Sequence, residues 1–292
     1  VSRAGEWTDV EQAMAAAGIA CTVVAARPVG GGCIHAAWCL QGSDGRRYFV
    51  KTNDPGHAAA FACEATSLQA LAATGAVRVP AVLACAARAR RACLVLEWLD
   101  MLPGNSRSQA ELGRQLAALH RHCGPAHGWD SDNCIGASPQ VNRRTENWAA
   151  FFRDCRLRPQ IDLAQRNGLR LAQADRLLAA VPDLLAGHAP APSLLHGDLW
   201  GGNAARLADD TPVIFDPACY HGDRETDLAF SELFGGFSPA FYAAYTAAWP
   251  LAPGYPRRKP LYNLYHVLNH ANLFGGGYGR QAAEMIRSLL TA

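Results

Sequence analysis

The chain has 292 residues, 50% hydrophobic and 18% charged, with a formal net charge of +2. This suits one large globular domain or two lobes with separate cores. The basic residues are scattered, which excludes a nucleic-acid-binding stripe or a polybasic membrane anchor. No apolar stretch reaches the roughly 18 residues of a membrane span, and the first residues show no basic-then-apolar signal pattern. A cytoplasmic protein is expected, with neither nucleic acid nor membrane as partner. Ten cysteines without a Cys-x-x-Cys pair read as small buried hydrophobes in a reducing compartment.

Thr8-Asp9-Val10-Glu11 has the pattern of a capping box, opening an alanine-rich helix that Gly18 ends. The period then shifts to that of strands at Cys21–Val24, Ala36–Leu40 and Arg47–Lys51. Glycine turns separate them, which predicts an antiparallel meander. A helix over Gly56–Thr74 and strands near Val79–Ala84 and Ala92–Trp98 follow. Beyond Asp100 the pattern becomes helical: Ser108–His122, Trp148–Asn167, Gln173–His188, Glu225–Phe234, Pro239–Ala248, Pro260–Phe274 and Arg280–Leu290. The predicted class is α+β, with a small antiparallel-sheet lobe over 1–100, a hinge near residue 100, and a larger helical lobe over 101–292.

Chemistry concentrates in five places. Gly30-Gly31-Gly32-Cys33 lies between the first two strands, where glycine lets backbone amides approach phosphate. It lacks the Gly-Lys-Ser/Thr ending of a Walker loop. Lys51 ends the third strand, and Glu64 follows thirteen residues later on the helix. Only two of the 27 basic residues are lysine, Lys51 and Lys259, so a lysine here is set against an arginine background. A strand lysine clamping phosphates, itself fixed by a helix glutamate, is a kinase device. Leu194-Leu195 then runs into His196-Gly197-Asp198-Leu199-Trp200-Gly201-Gly202-Asn203, and Val213-Ile214-Phe215 delivers Asp216 before Pro217. One carboxylate to accept a hydroxyl proton, with an amide and a second carboxylate to hold magnesium, is the equipment of phosphoryl transfer. The order of these elements predicts an ATP-dependent kinase.

Other candidates read more plainly. His120, His122 and His127, and the i, i+4 pair His266 and His270, lack the partners of a zinc set and are expected in the core or a pocket. Asp223, Arg224, Glu225 and Asp227 are expected to form ion pairs that anchor the loop after Asp216. Cys33, within the glycine cluster, is a candidate redox-sensitive thiol.

With these residues in view, the chain resembles the fructosamine kinase (ketosamine-3-kinase) family. That family is related in fold to aminoglycoside phosphotransferases, choline kinases and, more distantly, protein kinases. The segments that carry the likeness include Asp132-Asn133-Cys134-Ile135-Gly136, Arg156-Leu157-Arg158-Pro159-Gln160, His196-Gly197-Asp198-Leu199-Trp200 and Asp216-Pro217-Ala218. Gly222-Asp223-Arg224-Glu225-Thr226-Asp227 and Leu268-Asn269-His270 extend it nearly to the C-terminus. The resemblance implies a two-lobed protein-kinase-like fold, with ATP and Mg2+ as cofactors. It makes Asp198 the catalytic base, Asn203 and Asp216 the magnesium ligands, and Lys51 with Glu64 the phosphate clamp. It also makes Glu97 and Leu99 the adenine hinge and places Trp200 and His270 at the sugar pocket. The implied reaction is phosphorylation of the 3-hydroxyl of a small-molecule or protein-bound ketoamine, leading to deglycation, by a monomer or a redox-linked homodimer. His35 stands where the family usually has asparagine and Gly201 where serine is common; neither is expected to touch a catalytic role. A kinase for an aminoglycoside or choline-like amine would share the nucleotide residues but need an acidic or aromatic-caged acceptor pocket. A silent nucleotide-binding protein would not need Lys51, Asp198, Asn203 and Asp216 together.

Overall fold

The computed structural model describes residues 5–30 and 35–291. Gly31, Gly32 and Cys33 lie outside the described residues. In chain order come α1 (Thr8–Ala16), β1 (Val23–Pro28), β2 (Ala36–Gly42), β3 (Arg47–Asn53), α2 (Ala58–Ala73), β4 (Val82–Ala87), β5 (Ala92–Glu97) and α3 (Ser106–Leu119). Then follow β6 (Asn133–Ile135), β7 (Ser138–Gln140), α4 (Trp148–Phe151), α5 (Arg158–Arg166), α6 (Ala174–Leu184), β8 (Ser193–Leu195), β9 (Ala204–Arg206), β10 (Pro212–Ile214) and β11 (Tyr220–Gly222). The chain finishes with α7 (Glu225–Leu233), α8 (Pro239–Ala248), α9 (Tyr255–Phe274) and α10 (Tyr278–Leu289). The class is α+β. Two compact units are present: Val1–Asn105 with Ala205–Asp216, and Ser106–Ala204 with Pro217–Ala292.

In the first unit, five strands run in the order β1-β2-β3-β5-β4, each antiparallel to its neighbour. Strand alternation sends Tyr48 and Val50 of β3 into a core with Trp7, Val10 and Met14 of the α1 segment. Lys51 and Asn53 therefore share the opposite face with the α2 residues that meet them. α2 is held by buried Phe61, Leu68 and Leu71. The expected capping box does not form. The Glu11 carboxylate instead accepts the Val23 N–H at 2.7 Å, and the Thr8 hydroxyl donates to the Gly5 carbonyl. The glutamate ties α1 to the start of β1 rather than closing its own helix. Of the described cysteines, Cys85 and Cys123 are exposed rather than buried. Cys85 lies on β4, at the edge of the sheet, where alternate residues face outward.

In the second unit, α3 and α8 pack backbone to backbone. A Cβ on Gly113 would lie 2.3 Å from the Phe241 carbonyl oxygen, so only glycine permits this approach. α4 and α5 are joined by a π-helical stretch, Phe152–Leu157. α9 begins at Tyr255, not at Pro260. Pro256 occupies the first turn, where a missing N–H costs nothing, and Pro260 falls inside the helix. The short pair β8 and β11 aligns Leu195 with Tyr220 and Ser193 with Gly222, which fixes the entrance to the Asp198 turn. Among the described residues, no helix is long and apolar enough to cross a membrane.

Candidate active site

The first unit gathers Lys51, Glu64 and Asp216. The Lys51 ammonium donates to Glu64 Oε1 and Oε2 at 2.7 and 2.9 Å and to Asp216 Oδ1 at 2.8 Å. The Lys51 and Glu64 side chains are 11% and 13% exposed, whereas Asp216 is 45% exposed. Burial alone would lower the Lys51 pKa, but the two carboxylates outweigh it and hold the ammonium protonated. Asp216 has φ 55°, a left-handed conformation that aspartate tolerates better than most side chains. Such a backbone at a strand end is a common signature of a functional turn. Gly30 is exposed, and among the described residues a Cβ built on it would meet nothing within 4 Å. Glu97 ends β5; both its carboxylate oxygens accept Arg78 at 2.5 Å, and its N–H donates to the Ala81 carbonyl at 2.9 Å. Leu99 follows, half-buried.

The second unit holds Asp198 and Asn203 in one turn after β8. Asn203 Nδ2 donates to the Asp198 carbonyl at 2.9 Å and to Asp198 Oδ2 at 3.1 Å. That orientation leaves Asn203 Oδ1 as the acceptor of the amide. Gly197 has φ 81°, and a Cβ there would fall 2.1 Å from the Ala218 carbonyl oxygen, so the turn demands glycine.

What pins this turn escapes the sequence pattern. Fully buried Asp227 accepts the His196 N–H at 2.8 Å through Oδ2 and the Gly197 N–H at 2.9 Å through Oδ1. His120, also buried, meets Asp227 through Nε2 at 3.1 Å and Tyr245 through Nδ1 at 2.8 Å. Burial alone would raise the Asp227 pKa, but His120, His196 and the Gly197 amide keep it below the ordinary carboxylate value. Asp227 was legible only as one of a charge cluster, and His120 only as a core histidine. A polar residue at the start of a helix following the Asp216 loop is the one local signal available. A second brace comes from Gln140, whose Nε2 donates to the Ala218 carbonyl at 3.1 Å while its Oε1 accepts the Tyr265 hydroxyl at 2.7 Å.

Trp200 is 40% exposed, and its ring lies over Gly202, where a Cβ would approach it to 2.4 Å. His270 sits among rings, with centroids 4.7 Å from Phe234 and 5.2 Å from Tyr278. Its Nδ1 meets the His266 carbonyl at 2.8 Å, which fixes Nδ1 as the protonated nitrogen and Nε2 as an acceptor. His266 is fully sequestered, stacked 3.6 Å from Phe230, and burial lowers its pKa to about 3. His188, Asp223 and Glu225 place ligand atoms within 4.8 Å of one another. However, Glu225 takes both Arg258 nitrogens at 2.7 Å, and Asp223 accepts the Tyr262 hydroxyl at 2.6 Å. The group is thus a buried anchor and not an open metal cage; of the expected ion pairs, Glu225–Arg258 forms, whereas Arg224 donates to the Tyr245 hydroxyl and the Trp249 and Pro250 carbonyls.

The family model for fructosamine kinase matches residues 6–292. The chain belongs to the fructosamine kinase family. A probable ketoamine kinase of Synechocystis is 48% identical over 265 residues, covering 90% of each chain. A solved structure from Haemophilus somnus 129PT, provisionally described as a fructosamine-3-kinase, superposes with a TM-score of 0.92 at 32% identity, covering 98% of both chains. The choline kinase LicA of Streptococcus pneumoniae gives a TM-score of 0.64 at 14% identity, covering 97% of this chain and 98% of that one. At that identity the likeness shows the fold alone, which is the two-lobed protein-kinase-like one. The Lys51–Glu64 pair and the Asp198–Asn203 turn are thus described within a fructosamine kinase family fold.

Proposed function

We propose that this chain is an ATP- and magnesium-dependent kinase that phosphorylates the 3-hydroxyl of ketoamines. The observation that carries the reading is the Asp198–Asn203 turn, braced by Asp227, in a member of this family. Asp198 orients the acceptor hydroxyl and takes its proton as the bond to phosphorus forms. Lys51, kept charged and fixed by Glu64, holds the phosphate oxygens on which negative charge gathers. Glu97 and Leu99 serve as the adenine hinge; because the Glu97 N–H is already committed to Ala81, its part falls to the carbonyl. Trp200 and His270 line the sugar pocket.

Asn203 Oδ1 and the carboxylate of Asp216 are the hard oxygen donors that Mg2+ prefers, and the amide orientation and the exposure of Asp216 suit them to it. These residues would hold magnesium, which would supply neutralisation of charge on the transferring phosphate. The acceptor is a free or protein-bound ketoamine. Enolisation of the product toward C1 makes the 3-phosphate an allylic leaving group, so the adduct breaks down and frees the amine, which is deglycation. A cytoplasmic setting and a monomer or redox-linked homodimer belong to the same reading; chromatography with and without reductant tests the latter.

Steady-state kinetics on ribulosamine, erythrulosamine and fructosamine acceptors, beside an aminoglycoside and choline, test the assignment. Turnover confined to the ketoamines is expected. Turnover of the aminoglycoside or choline alone would overturn it.

A further inference from the structure

His35 follows the glycine cluster and opens β2. The register Ala36↔Thr52 and Ala37↔Lys51 sets His35 opposite Asn53, and the period of two puts both on the face that carries Lys51. The imidazole lies against α2, 4.6 Å from the Phe61 ring and 5.6 Å from that of His57, centroid to centroid. Its Nδ1 is 2.9 Å from Asn53 Nδ2.

The orientation of the Asn53 amide is not arbitrary. Its Oδ1 accepts the Asp54 N–H at 2.8 Å, so the nitrogen must be the atom that faces the histidine. An amide N–H pointing at Nδ1 requires a lone pair there. The ring is then held as the Nε2–H tautomer, a neutral donor. Burial comes first, with Lys51 and His57 adding to it, in lowering the His35 pKa, against the opposing pull of Asp216. A proton on Nδ1 would also face the Asn53 N–H, so the geometry and the charges agree.

We propose that His35 is a further nucleotide-binding residue, its Nε2–H donating to a terminal phosphate oxygen of the nucleoside triphosphate held by Lys51. The proposal rests on the kinase reading above and adds a residue to it. A neutral donor on the face that carries Lys51 adds a directed hydrogen bond without a second positive charge. Asparagine at this position is too short to offer a donor at the place of Nε2, whereas glutamine reaches about as far.

The test compares wild type, His35→Phe and His35→Gln. Phenylalanine keeps the ring packed on Phe61 and removes the donor; glutamine restores one. The expected result for His35→Phe is an ATP KM raised roughly tenfold or more, the range for losing a hydrogen bond to a charged group, with the acceptor KM within about twofold. Calorimetric titration should show the same loss for ATP and none for adenosine, and His35→Gln should recover most of it. An unchanged ATP KM and ATP affinity in His35→Phe would overturn the proposal. Equal losses for ATP and adenosine would also overturn it, since a merely structural role predicts that pattern. If the wild type phosphorylates no ketoamine, the parent reading fails, while the ATP-against-adenosine titration still decides the role of His35.

Discussion

Lys51 and Asp198 stand at opposite ends of what a single residue reveals about itself. Lys51 was conspicuous because arginine supplies nearly all other positive charge, and its bonds to Glu64 and Asp216 explain the choice. A compact ammonium can sit between two carboxylates where a planar guanidinium would not fit. Lys51→Arg should therefore raise the ATP KM at least tenfold despite retaining the charge, as steady-state kinetics would register. Asp198 and Asn203 were legible from their spacing, whereas Asp227 and His120 were not. Their partnership joins residues 107 apart, which no local pattern encodes. Asp227→Asn would place an amide N–H against a backbone N–H. It should lower stability by about 1–3 kcal/mol in urea titrations, the scale for leaving a buried donor unsatisfied. It should also cut kcat more than nucleotide affinity. The buried histidines give a pH signature. Burial lowers His127 to about 4 and His266 to about 3, so the folded protein holds both neutral where the unfolded chain binds protons. Their contribution is intact above the unfolded pKa of about 6.5 and is lost as pH falls toward those values. Each should add a slope of up to about 1.4 kcal/mol per pH unit between pH 6 and 4, and His266→Phe should remove one such share from the urea midpoint profile.

Elements were read best where many residues vote together. β2, β3, α2 and α8 were evident from alternation or helical period, and α8 was predicted with its observed bounds, Pro239–Ala248. Three-residue strands carry little pattern: β8 and β10 showed as the apolar runs Leu194-Leu195 and Val213-Ile214-Phe215, whereas β6, β7, β9 and β11, with no such run, were missed. Pro260 misled in a physically instructive way: proline favours the first turn of a helix, but Pro256 already fills that role in α9. The π-helical stretch before α5, in which Phe152, Cys155, Arg156 and Leu157 are buried, was read from the sequence as part of one continuous helix over Trp148–Asn167. The α3–α8 contact depends on one glycine. Gly113→Ala forces a methyl group onto the Phe241 carbonyl and should destabilise the protein by about 1–3 kcal/mol in urea titrations, although alanine is the better helix former.

At the scale of the whole molecule, the order of the motifs mattered more than any one of them. A glycine cluster, a strand lysine, a helix glutamate, an Asp-x-x-x-x-Asn turn and a strand-end aspartate together predicted a kinase before any resemblance was invoked. The expected division near residue 100 differs in one respect from the compact units observed, because Ala205–Asp216 returns to the first unit. Asp216 is thereby delivered to Lys51 across 165 residues of sequence. The acceptor, by contrast, was never legible in the residues alone, since the groups that handle phosphate are common to all enzymes of this fold. Its identity follows from family membership and the proposal built on it. The most direct measurement is ATP-dependent phosphorylation of a ketoamine, followed by phosphorus NMR, in wild type and Asp198→Ala, with ATP binding measured on both. A ketoamine 3-phosphate formed by the wild type alone, with ATP affinity retained in the variant, is the predicted result. Undiminished phosphorylation by Asp198→Ala would contradict the account.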